Sequence, residues 1–248
     1  MITILATSDI HGKLPMIQEP FDLLLIGGDI CPAHDHYYDF QTKWFVTVFV
    51  PWINSLPFKD ETSKVFMIWG NHDYLGVEVN CSWRKRMTRN TDGRLVFLCH
   101  DSYDFEYPVS DGIDALRVFG TSYCTWFGHW AFMVDNEVLE QKFSEIPEGL
   151  DILLSHDSPH LNNLGAITEG RHKTHETGSR ILAKHVKRAK PKIFLSGHFH
   201  SGNHKFEEVD GTYMANVSLV NEWYEPVNPI LKIEYDGENR KIIGHNFI

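Results

Sequence analysis

The sequence predicts a mixed α/β (α+β) protein in which two mixed β-sheets pack as a sandwich flanked by helices. Three observations predict it. Short apolar runs recur through the first two hundred or so residues, and the first three strands in a row end in glycine-flanked polar motifs. Stretches with helical apolar spacing alternate with those runs, the pattern of a largely parallel sheet covered by helices. Past His200 the helical spacing gives way to β-rich sequence, which calls for more strands than one doubly wound sheet holds.

Ile2 to Thr7 is apolar and rich in β-branched residues, so it reads as a strand. It ends in Ser8-Asp9-Ile10-His11-Gly12, where Asp9 and His11, two apart, point the same way if extended geometry continues. Phe21 to Ile26 is the next strand and closes on Gly27-Gly28-Asp29. Glycines there let the backbone turn and approach other groups closely, presenting a carboxylate at the strand's carboxyl end. Tyr37 to Leu56 carries Phe40, Trp44, Phe45, Val48 and Trp52 at helical spacing, with a bend or split expected at Pro51. Val65 to Trp69 is a third strand, ending in Gly70-Asn71-His72-Asp73.

The middle is less regular. Leu95 to Leu98 and Arg117 to Gly120 read as strands, and Ser82 to Arg89 as helical. The aromatic run Trp126, Phe127, Trp130 and Phe132 reads as core packing, with stacking on a nucleobase as the alternative. Asn136 to Ile146 is a helix capped by Asp135 or Asn136. Ile152 to Leu154 is a strand ending at Ser155-His156-Asp157. A polar loop follows with His160, His172 and His175. Thr177 to Ala189 is an amphipathic helix whose Lys184, Lys187 and Arg188 face solvent. Ile193 to Leu195 is a strand ending in Gly197-His198-Phe199-His200. Three antiparallel strands are expected last, at Tyr213 to Leu219, Ile230 to Tyr235 and Lys241 to Phe247, with a turn at Asp236-Gly237.

Motif-bearing strand ends run from residue 9 to residue 200, so any cut between them splits the set; residues 1–248 are read as one domain. With 42% hydrophobic and 13% aromatic residues, the 248-residue chain can bury a large core. No apolar run approaches the ~20 residues of a membrane helix. Met1 to Thr7 lacks the pattern of a signal peptide, so a cytoplasmic location is expected. A net charge of −10 argues against holding long nucleic acid by phosphate neutralisation. It leaves small phosphoesters open, because bound divalent ions reverse the local sign. The four cysteines are scattered and suggest neither a disulfide framework nor a cysteine-zinc site.

The polar groups at the strand ends are Asp9, His11, Asp29, Asn71, His72, His156, His198 and His200, drawn from a chain with 15 histidines. Carboxylate, imidazole and amide form a mixed oxygen/nitrogen set suited to Mn²⁺, Fe, Ni²⁺ or Zn²⁺ rather than Ca²⁺. Seven ligand candidates exceed what one ion takes and suit two. A carboxylate has two oxygens to share between them.

Asp9-Ile10-His11, Gly28-Asp29, Gly70-Asn71-His72-Asp73, His156 and Gly197-His198-Phe199-His200 stand in the order of the five motifs of the calcineurin-like metallophosphoesterases, and nearly the whole chain resembles that superfamily. Trp130-Ala131-Phe132, the run Ile146 to Leu153, and Asn228-Pro229-Ile230 look like the metallophosphoesterase-domain-containing branch related to class III cyclic-nucleotide phosphodiesterases. Asp157-Ser158 departs from that branch's Gly-Pro, and Asp157 is expected to alter the rim of the site. The resemblance implies an αββα fold and two divalent ions, Mn²⁺ favoured. Asp9, His11, Asp29 and His200 would hold one ion, and Asp29, Asn71, His156 and His198 the other. It further implies a bridging hydroxide as nucleophile, with His72 as the catalytic group at the leaving oxygen and Asp73 orienting it. The substrate class implied is a small phosphodiester such as a (cyclic) nucleotide. The alternatives are a phosphomonoesterase or protein phosphatase, and a non-catalytic scaffold of the same fold. His34 and His36 are read as exposed loop residues, with a place in the substrate cleft as the alternative.

Overall fold

The structure is a computed structural model that describes residues 1–169 and 173–248; His172, one of the loop histidines, lies outside the described residues. In chain order the elements are β1 (Ile2–Thr7), β2 (Leu23–Ile26), α1 (Tyr38–Trp44), a π-helical turn at Phe45–Phe49, α2 (Val50–Ser55), β3 (Lys64–Met67), α3 (Tyr74–Glu78), α4 (Cys81–Asn90) and β4 (Leu95–Phe97). A hairpin of β5 (Asp101–Val109) and β6 (Gly112–Thr121) follows, then the two-residue strands β7 (Cys124–Thr125) and β8 (Met133–Val134), and α5 (Asn136–Ser144). The chain continues through β9 (Ile152–Ser155), a ribbon of β10 (Ala166–Glu169) and β11 (Lys173–Glu176), α6 (Arg180–Ala189), and β12 (Ile193–Ser196). It ends with β13 (Glu207–Val209), β14 (Thr212–Asn216), β15 (Leu231–Asp236) and β16 (Lys241–Phe247).

Two six-stranded mixed sheets result, in the orders β16-β15-β1-β2-β3-β4 and β13-β14-β12-β9-β6-β5. Strands β1 to β4 run parallel, as do β6, β9, β12 and β14. The period-two rule assigns their faces. Ile4, Ala6, Leu23 and Leu25 point inward and meet Ile152, Leu154, Ile193 and Leu195 of the second sheet. Leu5, Leu24 and Ile26 point outward against Phe45, Phe49, Ile53 and Trp83 of the helical layer. On the far side Leu153 and Phe194 pack on Leu139 and Phe143 of α5 and Leu182 and Val186 of α6. Burial on both faces explains why β2 reads as an unbroken apolar run.

One expectation is borne out with a shifted position, and three are corrected. The break in the first long helix is a widened turn ahead of Pro51, which sits at the start of α2; proline brings no N–H and its ring crowds the preceding turn, so the deformation falls upstream. The last strands do not form one antiparallel unit: β14 pairs parallel with β12 in the second sheet, whereas β15 joins β1 in the first. The polar loop after β9 contains the ribbon of β10 and β11. Arg188 is not merely solvated, because its guanidinium donates to the carbonyls of Phe143, Ser144 and Ile146 at the end of α5.

The C-terminal hairpin is tied to the second sheet by Arg240, which donates to both oxygens of Asp151 at 2.9 and 2.8 Å. Lys192 Nζ and the Arg117 N–H complete that buried carboxylate's partners. Asp151→Ala is expected to destabilise the protein by about 2–3 kcal/mol, below the ~3–5 kcal/mol of a fully buried pair because both cations are partly exposed. Chemical denaturation reads this directly.

Candidate metal centre

The carboxyl ends of β1, β2 and β3 meet those of β9 and β12 along one rim of the sandwich. The Ser8 N–H donates to Val217 O at 2.8 Å, linking the two sheets there. Asp9 and Asp29, at the ends of β1 and β2, are both buried and both left-handed, with φ of 50°. His11 (φ 44°) and His198 (φ 68°) share that conformation. Non-glycine residues adopt it at a cost of about 1–2 kcal/mol, and such outliers gather where structure serves a site. Glycines make room beside them: a β-carbon at Gly70 would collide with the Asp29 carboxylate, and one at Gly197 with that of Asp9.

The seven ligand candidates converge. Asp29 Oδ2 lies 3.6 Å from His11 Nε2, and Asp29 Oδ1 lies 3.5 Å from His156 Nε2. His156 Nε2 also faces Asn71 Oδ1 at 3.0 Å. Asp9 Oδ1 lies 3.5 Å from His200 Nε2, and the His198 N–H donates to both Asp9 oxygens at 3.0 Å. The His198 ring sits 5.2 Å from that of His156. Two donor groups are compact enough to hold an ion: Asp9, His11 and His200, and Asp9, Asp29 and His156. Asp9 is common to both groups, whereas Asp29 belongs to the second.

The donor chemistry fits divalent cations. His156 Nδ1 donates to Gly27 O at 2.8 Å and His200 Nδ1 to Asn221 O at 3.1 Å. A carbonyl can only accept, so in the neutral ring Nε2 is left with a lone pair, and on both histidines it faces carboxylate oxygen. Such backbone anchoring of the far nitrogen is the usual support of a metal-binding imidazole. Both ring nitrogens of His11 are buried without a hydrogen-bond partner among the described residues. Asp9, Asp29, Asp73 and Asp157 are all buried here. Among the described residues, no lysine or arginine pairs with any of them. Buried carboxylates without such partners call for another cation.

Electrostatics agree. Burial would raise the Asp29 carboxyl, but the charge and hydrogen bond of His156, with His72 and His11, hold it well below the usual range. Burial works against charge on His156, yet Asp29 and Asp9 push it up to about 10. A field that binds a proton so firmly at Nε2 is equally suited to an ion. Burial lowers His11 to about 4 despite Asp29 and Asp9. Burial and the charge of His156 lower His198 to about 3.

His72 lies beside this cluster, its ring 5.0 Å from that of His11 and 4.4 Å from Trp130. Its backbone N–H donates to Asp29 Oδ1 at 2.7 Å. Asp73 does not orient the His72 ring. Its carboxylate accepts from the N–H groups of Ile30, Cys31 and Gly70 instead, bracing the turn after Asp29. Asp157 is not at the rim either; it accepts from Thr125 N and Oγ1 beneath the loop that carries Phe127. Only part of the aromatic run is core: Phe132 packs against the helix-covered face of the first sheet, whereas Trp126 and Phe127 are 57% and 61% exposed, and Phe127 stacks on His198 at 5.6 Å. His36 reaches the site and His34 borders it. Among the described residues, neither His160 nor His175 makes a side-chain hydrogen bond to the cluster. Sequence reasoning missed Ser218, which donates to Asp9 Oδ2 at 2.7 Å, and Gln41, a buried amide on α1 that donates to His72 O at 2.7 Å. Neither belongs to a motif.

Two cavities flank the cluster. One, of about 370 Å³, is lined by Thr125, Phe127, Ile167 and Phe199 beside His198. The other, of about 690 Å³, is lined by Lys13, His34, Phe40, Trp44 and Tyr224 beside His11.

A helix-covered sheet sandwich that gathers unpaired carboxylates and backbone-anchored imidazoles on one rim defines a metallohydrolase-type centre. The chain belongs to the calcineurin-like phosphoesterases, whose family model matches residues 2–202, a family of metal-dependent phosphoester hydrolases. It is 27% identical to human metallophosphoesterase domain-containing protein 1 over 243 residues, 92% of this chain and 69% of that protein. The fold is shared with the protein TT1561 of Thermus thermophilus, with TM-score 0.55 and 14% identity over 99% of this chain and 98% of that one. It is shared also with the phosphopantetheinyl hydrolase of Mycobacterium tuberculosis, with TM-score 0.51 and 14% identity over 90% of each chain.

Proposed function

We propose that this chain is a dinuclear-metal phosphodiesterase acting on small phosphodiesters, with (cyclic) nucleotides as the favoured class and Mn²⁺ as the favoured ion. The observation that carries the metal assignment is the set of buried carboxylates Asp9 and Asp29 facing the Nε2 atoms of His11, His156 and His200, with no lysine or arginine paired to them among the described residues. Asp9, His11, Asp29 and His200 would hold one ion, and Asp29, Asn71, His156 and His198 the other. Two divalent ions there supply Lewis acidity toward phosphate oxygens and a water of lowered pKa. His72, which burial keeps below the usual histidine range and therefore neutral, would present an Nε2–H that hydrogen-bonds to the leaving oxygen and stabilises its developing charge. Asp73 keeps the Asp29 turn in shape. The paired cavities support the diester preference: the two arms of a linear diester occupy both flanks, a cyclic nucleotide places its sugar and base on one of them, and a monoester needs one. The exposed Phe127 ring offers a stacking surface for a base. The relationship to metallophosphoesterase domain-containing protein 1 supports the phosphoesterase reading, and the whole of residues 1–248 would act as one catalytic unit in the cytoplasm.

A Mn²⁺-supplemented assay on a chromogenic phosphodiester and its matching monoester tests this. Turnover of the diester above the monoester is expected. A monoester preference removes the diesterase assignment and leaves a phosphomonoesterase or protein phosphatase. No turnover of either, with two ions bound, leaves a non-catalytic scaffold. Chelation is expected to lower stability as well: at free metal 100 times Kd, binding contributes about 2.7 kcal/mol. The melting temperature should therefore fall on chelation and recover when Mn²⁺ is returned.

A further inference from the structure

His36 Nε2 lies 3.1 Å from His72 Nδ1, and no motif accounts for that contact. The two rings are not paired by chance of an exposed loop. His36 is wedged against Tyr74 at 5.4 Å and edge-on to Trp130 at 5.3 Å, the same Trp130 that packs on His72. Asp35 fixes the turn by accepting from Tyr37 N at 2.9 Å, immediately before α1 begins at Tyr38. One turn into α1, Gln41 donates to His72 O and accepts from Leu75 N at 2.9 Å. Ring and backbone of His72 are therefore both held by the segment from His36 to Gln41.

A neutral imidazole has one donor and one acceptor nitrogen, and the partner of one sets the role of the other. We propose that His36 is a positioning residue for His72: its Nε2–H donates to His72 Nδ1, so the proton of His72 resides on Nε2, the nitrogen available to the substrate. The inference rests on the phosphodiesterase reading, in which His72 acts at the leaving oxygen. Asp73, the acidic neighbour in sequence, cannot take this role because its oxygens are committed to three backbone N–H groups.

The test uses the full chain with Mn²⁺ and two diesters, one with an aryl and one with an alkyl leaving group. His36→Ala is expected to lower kcat on the alkyl diester by at least about 10-fold, the lower end for loss of a supporting partner. The aryl diester should suffer less, with KM and bound metal unchanged. His36→Gln, which keeps an amide N–H near the position of Nε2, should recover part of the loss. In a His72→Ala background, His36→Ala should add nothing, because the residue it positions is gone. In the zinc-loaded protein, long-range ¹H–¹⁵N spectra should show His72 protonated at Nε2, and His36→Ala should erase that preference. Equal losses on both diesters, additive losses in the double variant, or a protonated Nδ1 on His72 would each overturn the proposal. A wild-type chain inactive on both diesters overturns the proposed function and this inference together. An active wild type with an unimpaired His36→Ala variant overturns this inference alone.

Discussion

Asp29→Asn is expected to lose metal and turnover together. Its two oxygens face opposite halves of the cluster: Oδ2 toward His11 Nε2 at 3.6 Å, and Oδ1 toward His156 Nε2 at 3.5 Å. Asparagine keeps the shape but replaces one acceptor with a donor and removes a charge that no other group restores. Metal affinity should fall by more than the roughly 10–100-fold that loss of a supporting partner costs. Turnover should fall by more than about 10³-fold, beyond the effect of one hydrogen-bond donor. His72 adds to the loss, because its N–H is anchored on the same carboxylate at 2.7 Å. Metal content by elemental analysis, turnover on the diester and circular dichroism separate these effects. A variant that retains two ions while losing only activity would show that Asp29 is not the shared ligand.

His72→Ala is expected to do the reverse, keeping both ions and losing chemistry. Its ring lies against His11 at 5.0 Å, but its partners are His36 and Trp130 rather than the carboxylates. Loss of a positioned hydrogen-bond donor at the leaving oxygen should lower kcat by about 10²–10³-fold on a diester with a poor leaving group. An aryl leaving group needs less help and should show a much smaller loss. Full activity of His72→Ala on an alkyl diester would remove it from the mechanism.

The strand ends were legible because each places its polar residues within a few positions of an apolar run, a local signal that survives without any structure. Asp9, His11, Asp29, Asn71, His156, His198 and His200 all come from such endings, and the structure brings them together. The αββα layering was legible for a related reason, since Leu23 to Ile26 and Ile152 to Leu154 are apolar on both faces and need cover on both. Residues that act across long sequence separations were not legible. Gln41, Ser218 and Asn221 reach the site only through tertiary packing, 31, 209 and 21 residues from their partners. The role of Asp73 was not legible either, because adjacency in sequence suggests a contact with His72 that the turn points away from. The strand β5 alternates Tyr103, Phe105 and Tyr107 with polar Ser102, Asp104 and Glu106, the pattern of a half-buried strand, but only Phe105 and Tyr107 of it are buried, which left the signal short.

The left-handed backbones at Asp9, His11, Asp29 and His198 have a consequence for the protein as a material. At roughly 1–2 kcal/mol each, these turns claim a share of the ~5–15 kcal/mol by which a native domain typically outweighs its unfolded chain. Glycine at those positions would relax the turns while deleting the donors. Selection for robustness alone would therefore drift toward a tougher protein with an empty rim. The strained turns are a point where durability and activity pull against each other.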